Sequence, residues 1–330
     1  MTKSIPFSLS LILSLGLVAC GGGGGGDTPS VVTSSVATYV PGSAELGGWN
    51  VLQEARTRCG FGALTRNTKL DAAALSHAKY LVDISIATGV SQLSHLETPG
   101  VPGFTGIAPW DRTEHQGYGE FVAEILEATV WEYVSPPTFP TMEERGASSM
   151  HSLLNTVYHL AGAMYEGADV GFGADMKTTK INATTWREEY RFGSLNGYQT
   201  RRITLGAGKV VTYPCQDSSN IPTAFVPANE SPNPFPAMTL DTQKVGPPIY
   251  LKVDAGQVLN VTSSSVSQNG VNVPTTVLTA SNDPNQGIDT NEVFVVPNTA
   301  LIPNTTYQVT LAGTVNSVPF SRSFTMRTGQ

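Results

Sequence analysis

The spacing of the hydrophobic residues changes along this 330-residue chain and divides it into two parts. In the segment 68–87, apolar residues recur at every third or fourth position, which predicts a helix with one apolar face. In the segments 249–253 and 307–311, apolar and polar residues alternate, which is typical of a half-buried strand. We therefore expect a mixed α and β part that is followed by an all-β part.

The length and the charge of the chain indicate its domain number and exclude one class of partner. Its length corresponds to roughly two domains at about 150 residues each, enough to bury sizeable cores. Charged residues make up 14% of the chain, the formal net charge is -7, and no basic stretch is present. Since binding to phosphates requires clustered lysines and arginines, we expect no nucleic-acid partner.

Residues 1–20 have the layout of an export signal. Lys3 supplies a positive charge, and residues 7–19 form an apolar run that is too short to span a membrane as a helix. The run ends in Leu-Val-Ala-Cys, which resembles the lipobox of bacterial lipoproteins. We expect a lipoprotein signal peptide with lipidation at Cys20. An ordinary signal peptide with a chance cysteine is the alternative.

Residues 21–45 begin with six glycines and continue with small and hydroxylated residues. This composition predicts a flexible tether with a reach of roughly 25–30 Å. Acyl chains on Cys20 would make the membrane a partner of this exported protein. Since Gly21 rather than aspartate follows the cysteine, we expect the outer membrane of a Gram-negative cell, or the cell surface.

Three cysteines are present, and lipidation of Cys20 would leave Cys59 and Cys215. Two remaining cysteines in an exported protein predict one disulfide. Two buried free thiols are the alternative.

Proline, serine and asparagine are dense over residues 216–240, which predicts a linker between domains at 46–215 and 241–330. In the second domain, Gln268-Asn269-Gly270 is a hairpin signal. About six or seven short strands in this region indicate a β-sandwich.

Several segments between Trp49 and Gly173 together resemble the bacterial branch of the CAP superfamily, the cysteine-rich secretory, antigen 5 and pathogenesis-related proteins. They read ARTRCGFGALTRNTKLDAAALSHAKYL, then LSHLETPG with GFTG, PWDR and GY, then VYHL followed by DVGFG. The tail LIPNTTYQVTLAGTVNSVPFSRSFTMRTG resembles bacterial immunoglobulin-like domains.

The resemblance implies an α+β fold class: a three-layer α-β-α sandwich plus a C-terminal all-β immunoglobulin-like sandwich. It also implies a cleft that is lined by two histidines and two acidic residues. By position, the histidines are His95 and His159, and the first acid is Glu124. The second acid is Glu143 or Glu144.

In some members of the superfamily such a cleft holds a divalent metal. His95 and His159 would then be ligands of zinc or another divalent ion, together with Glu124. A hydrogen-bonded polar cleft without a metal is the alternative.

Three functions remain open at this point. The first is binding of a lipid, peptide or glycan ligand in the cleft. The second is a metal-dependent, peptidase-like hydrolase of the envelope or the extracellular space, in which Glu124 would be the catalytic residue. The third is a non-catalytic structural or interaction protein.

Overall fold

A computed structural model describes residues 39–119, 121–200 and 202–330. These residues belong to one compact unit that spans 35–330. The predicted signal peptide, Cys20 and residues 21–38 of the predicted tether lie outside the described residues. The last two residues of that tether, 44 and 45, belong instead to the first helix. No helix among the described residues is long and apolar enough to cross a membrane.

The α-helices of the described chain all lie in its first half. They are Ala44–Cys59 (α1), Thr68–Thr88 (α2), Pro109–His115 (α3), Met142–Leu153 (α4) and Tyr158–Ala163 (α5). The helix that the apolar spacing predicts is α2, and its ends follow from two residues. Asn67 accepts a hydrogen bond from the backbone N–H of Lys69, and Gly89 ends the helix with a φ of 70°.

The first sheet consists of Thr65–Arg66 (β1), Val122–Tyr133 (β2), Asp169–Lys180 (β3) and Trp186–Gly197 (β4). Its strand order is β1-β3-β4-β2, so β2 lies at one edge.

Alternating residues of β3 determine how helices pack on this sheet. Gly171 and Gly173 face α2, where an added Cβ would lie within 2.2 Å of the helix backbone. Phe172 points the other way and shares a buried core with residues of α1. The DVGFG sequence thus brings one helix into backbone contact while the opposite face of the strand fills a core.

The second half of the chain is built from short strands. They are Val211–Tyr213 (β5), Ser218–Ile221 (β6), Ile249–Lys252 (β7), Leu259–Gln268 (β8), Val271–Val273 (β9), Thr275–Thr279 (β10), Glu292–Pro297 (β11), Thr306–Val315 (β12) and Val318–Thr328 (β13). They form one sheet of order β10-β11-β7-β5 and another of order β6-β13-β12-β8-β9. The predicted hairpin joins β8 to β9, and Asn269 and Gly270 have φ values of 50° and 81°.

Strands β7 and β11 are buried on both faces, which joins the two halves of the chain. Leu251 and Val293 belong to a core between the two C-terminal sheets. Tyr250 and Phe294 belong to the core of the first half, where the Tyr250 ring stacks on Phe61 at 5.9 Å.

The fold class expected from the sequence, a three-layer α-β-α sandwich plus an immunoglobulin-like sandwich, is wrong for the described chain. Strands hold 33% of the residues, and five helices accompany three small sheets. The helical segment 142–163 breaks between α4 and α5 at residues 154–157, where Asn155 and Thr156 are weak helix formers. Strands β5 and β6 lie outside 241–330, yet they complete the two C-terminal sheets.

The predicted disulfide is confirmed. Cys59 at the end of α1 is bonded to Cys215, with 5.4 Å between the two Cα atoms. The bridge joins positions that are 156 residues apart.

Candidate functional site

An open cleft of about 950 Å³ lies beside the edge strand β2. We call it the main cleft. Its walls come from the loop 93–96, the centre of β2 at 126–128, the turn between α4 and α5, and the segment 224–232. His95 and His159 both line it, so the structure brings the two predicted histidines to one cavity.

A buried histidine fixes the loop that carries His95. The ring nitrogens of His77 on α2 lie 2.8 Å from the Ser94 carbonyl and 2.8 Å from a carboxylate oxygen of Glu97. The His77 side chain is fully buried. His77 therefore fixes the loop on both sides of His95, through the Ser94 carbonyl on one side and the Glu97 side chain on the other.

Glu124 lies behind His95 and is held by an arginine. Both carboxylate oxygens of Glu124 accept hydrogen bonds from Arg112 Nη2, at 2.8 and 2.9 Å. Oε2 also lies 2.9 Å from His95 Nδ1. The same Arg112 donates to the His95 carbonyl at 3.1 Å, so it ties the loop to β2.

This arrangement keeps Glu124 ionised. Burial raises the pKa of its carboxyl group, because the side chain is 2% exposed. The hydrogen bond with His95 and the positive charges of His77 and Arg112 outweigh that effect, so the pKa of Glu124 lies below its ordinary value. Glu124 thus orients His95 through Nδ1 and leaves Nε2 of that ring for a ligand.

His159 is oriented in a similar way from the other wall. Its Nδ1 lies 2.9 Å from Thr156 Oγ1. Because Thr156 already donates its hydroxyl proton to the Leu153 carbonyl, Nδ1 of His159 has to donate, and Nε2 is left for a ligand.

Glu230 positions the helix turn that carries His159. Its fully buried carboxylate accepts from the backbone N–H groups of Val157 and Tyr158, at 2.9 and 2.6 Å. These N–H groups at the start of α5 have no partner within the helix. Glu230 lies in the stretch 216–240, which the composition predicts as a linker. That composition gave no signal of a structural role.

Glu127 is a residue of the main cleft that the sequence reasoning missed. It follows Glu124 on β2 and points to the opposite face of the sheet, toward α4. Its Oε2 is buried and has no hydrogen-bond partner among the described residues. Burial raises the pKa of Glu127 above its ordinary value, and the hydroxyls of Ser149 and Ser152 and the charge of His159 offset this only in part.

The two residues expected as the second acid lie elsewhere. Glu143 is near the start of α4, where its carboxylate accepts from the Gly42 backbone N–H at 3.0 Å. Glu144 accepts from the Thr141 backbone N–H at 2.8 Å and completes a capping box on α4. Neither lines the main cleft.

A second cavity of about 600 Å³ continues from the main cleft, and the two share Glu127. We call it the side pocket. Trp131 of β2 and Phe139 of the following loop, whose rings lie 5.0 Å apart, form its aromatic wall. Tyr190 of β4 also lines it.

The main cleft does not fit the metal that the resemblance implies. Within the described ranges, no group of three or more His, Cys, Asp or Glu side chains is placed to hold a metal ion. The carboxylate of Glu124, the expected third ligand beside His95 and His159, is already compensated by Arg112. No step of the function proposed below therefore depends on a metal.

No protein-family model matches the chain, and no curated protein matches it.

Proposed function

We propose that this protein is an exported, lipid-anchored binding protein that holds a lipid, peptide or glycan ligand in the main cleft. One observation carries the proposal. Two histidines from remote parts of the chain line the same open cavity, and each is held through Nδ1 so that Nε2 is left for a ligand.

The exposure of the cleft residues supports binding. The side chains of His95 and His159 are 42% and 16% exposed, so both are accessible. Leu93 and Leu96, on each side of His95, are 49% and 57% exposed and line the same cavity. A cleft with polar groups inside and apolar side chains at its mouth suits a ligand with both characters.

A hydrolase activity is supported less well than ligand binding. A general base needs a free lone pair directed at the substrate. Glu124, the residue expected in that role, is 2% exposed, is held by Arg112 and does not line the main cleft.

The full chain provides the test, as the lipidated protein in mild detergent for the arrays and as detergent-free Cys20→Ser protein for the vesicles, because detergent dissolves vesicles and an acyl anchor inserts into them regardless of the cleft. It is probed with a peptide array, with an array of envelope oligosaccharides, and with vesicles of phosphatidylethanolamine and phosphatidylglycerol. We expect one class to bind, and His95→Ala and His159→Ala to weaken that binding at least about tenfold, since each removes a cleft hydrogen-bond partner.

His115→Ala is the matched control, because His115 is an exposed histidine on α3 that does not line the main cleft. If no probe binds, or if both cleft variants bind as the wild type does, the proposal is wrong and a structural role is favoured.

The lipid anchor is part of the same proposal and concerns residues outside the described ranges. Cells supplied with an alkyne-tagged fatty acid should label the wild-type protein and leave Cys20→Ser unlabelled. An unlabelled wild type would contradict lipidation at Cys20.

A further inference from the structure

The main cleft follows the open edge of a β-sheet. In its sheet β2 is hydrogen-bonded to β4 alone, so its other edge has no strand beside it among the described residues. Leu126, Glu127 and Ala128 all line the main cleft. Because successive side chains of a strand point to opposite faces, a cavity that contacts three in a row lies along the edge of the strand.

An edge strand presents backbone N–H and C=O groups that can pair with a further strand. The walls of the main cleft, the loop 93–96 and the segment 224–232, lie on each side of this edge. The cavity therefore has the form of a channel whose floor is an unpaired strand edge.

The side pocket extends this channel along the same strand. Glu127, Thr129 and Trp131 line it, and all three point to one face of β2. The two cavities together follow β2 from residue 126 to 131, a distance of roughly 17 Å at about 3.3 Å for each residue. Alternate side chains of a strand added beside β2 would point to this face, toward the side pocket.

Two buried polar atoms in the side pocket lack a partner. Within the described part of the chain, neither the hydroxyl group of Tyr190, which is 2% exposed, nor Oε2 of Glu127 makes a hydrogen bond of standard geometry, although the Ser149 hydroxyl is near enough to both side chains to lower their pKa values. Buried polar groups are nearly always paired, so two unpaired atoms that line one pocket indicate a ligand group that completes them.

The charges around the side pocket favour a cation. Its charged lining residues are Glu127, Glu144 and Arg145. Arg145 is paired with Glu188 at 2.5 Å, and Glu144 is exposed and accepts hydrogen bonds from Thr141. The carboxylate of Glu127 is therefore the one left without an ion partner among the charged groups that line the pocket. His159 is the other titratable group that acts on Glu127. The aromatic wall already contacts a cation, since the Arg145 guanidinium lies 5.5 Å from the centroid of the Trp131 ring and 5.2 Å from that of the Phe139 ring, and this shows that the wall accepts cationic groups.

We propose that the ligand of the main cleft is an extended peptide that adds to β2 as a strand and places a lysine or arginine side chain in the side pocket, beside Glu127 and Tyr190. This inference rests on the proposed function, because it names the ligand class of the same site. The backbone pairing supplies affinity and the side pocket supplies selectivity.

Designed peptides test both parts. The first probe is an acetylated, amidated peptide of alternating threonine and valine with one central lysine, and the second carries glutamate in place of that lysine. We expect the lysine peptide to bind the full chain at least about tenfold more tightly, since only it compensates Glu127.

N-methylation tests the strand pairing. Two further peptides are N-methylated at the odd or at the even positions, so that only one of them loses the N–H groups that point to β2. One series should lose binding and the other should retain it. If the two N-methylated peptides bind equally well, or lose binding to the same extent, the proposed pairing of the peptide with β2 is wrong.

Glu127→Gln should abolish the preference for lysine over glutamate. Glu132→Gln is the matched control, because Glu132 lies on the same strand, points to the opposite face and is 51% exposed. If Glu127→Gln still binds the lysine peptide more tightly than the glutamate peptide, the lysine side chain does not enter the side pocket and that part of the proposal is wrong.

The failures of the two proposals can be told apart. If no peptide binds but a glycan or vesicle binds and His159→Ala abolishes this, the peptide inference is wrong and the proposed function stands. If no binding of any class responds to His159→Ala, both are wrong.

Discussion

Glu124 and Glu127 lie three positions apart on one strand and have opposite environments. Glu124 faces α2, where Arg112 and His95 meet its carboxylate, and its pKa is lowered. Glu127 faces α4, where burial dominates and its pKa is raised. Both residues lie on β2, and the sequence does not show which partners each face of that strand supplies. The difference predicts opposite effects of two isosteric substitutions.

Glu124→Gln should destabilise the protein near neutral pH by about 3 kcal/mol, because it leaves Arg112 buried without its counter-charge. The folded pKa of Glu124 lies below the unfolded value of 4.5, so this stabilisation is present above that pH. It is lost as the pH falls through the folded pKa. Urea unfolding over a pH series should therefore show the gap between the two proteins closing in acid, and a gap that is constant with pH would contradict the ionised pair.

Glu127→Gln should instead stabilise the protein near neutral pH by roughly 1 kcal/mol, since the amide is neutral where the wild-type carboxyl group has to ionise in a buried site. The folded pKa of Glu127 lies above 4.5, so the wild type loses stability as the pH rises through that folded value. Below pH 4.5 both side chains are neutral and the unfolding curves should converge. A variant that is less stable than the wild type at neutral pH would show that Glu127 has an ion partner.

At the scale of elements, local signals predicted those parts of the fold that depend on neighbours in sequence. The cap at Asn67, the stop at Gly89 and the turn at 268–270 define α2 and the β8–β9 hairpin. Strand β2 was not predicted, because Glu124, Glu127 and Glu132 interrupt the alternation of apolar residues by which a strand is recognised. Each of these carboxylates is accommodated by residues far away in the chain, and such partners cannot be read from local spacing.

The crossing of α1 and α4 depends on two glycines. A Cβ at Gly146 would lie 1.8 Å from the Ala44 carbonyl oxygen, and one at Gly47 would lie 2.0 Å from that of Glu143. The close approach fixes α4, which carries Ser149 and Ser152 toward Glu127.

Gly146→Ala should therefore lower the free energy of unfolding by about 3 kcal/mol or more, because the helices have to separate. It should also weaken ligand binding in the main cleft, since α4 forms part of its wall. Gly119→Ala is the control, because a Cβ there meets nothing within 4 Å. Equal stability of the two variants in urea unfolding would contradict a tight crossing.

At the scale of the whole molecule, the candidate site draws on residues that the sequence divides between regions. The resemblance predicted His95, His159 and Glu124 in one cleft; the two histidines line one cavity, whereas Glu124 contacts His95 from behind and does not line that cavity. The contribution of Glu230 was not predicted. The proline-rich composition of 216–240 indicates an exposed linker, and nothing in it points to a buried carboxylate. The alternation seen in β7 likewise indicates one buried face, whereas Tyr250 fills a second core on the other side. Long-range packing of this kind has no local signature.

The Cys59–Cys215 disulfide joins the end of α1 to the start of the segment that forms the far wall of the main cleft. Because a bridge between positions 156 residues apart restricts the unfolded chain strongly, replacing both cysteines by alanine should lower the free energy of unfolding by up to about 5 kcal/mol. Urea unfolding of the oxidised wild type, the reduced wild type and the double variant measures this loss. The reduced wild type and the double variant should agree, since both lack the same constraint, and the main cleft should still bind its ligand at urea concentrations where they remain folded. Reduced and oxidised proteins with the same unfolding midpoint would show that the covalent link adds nothing to the packing of the two halves.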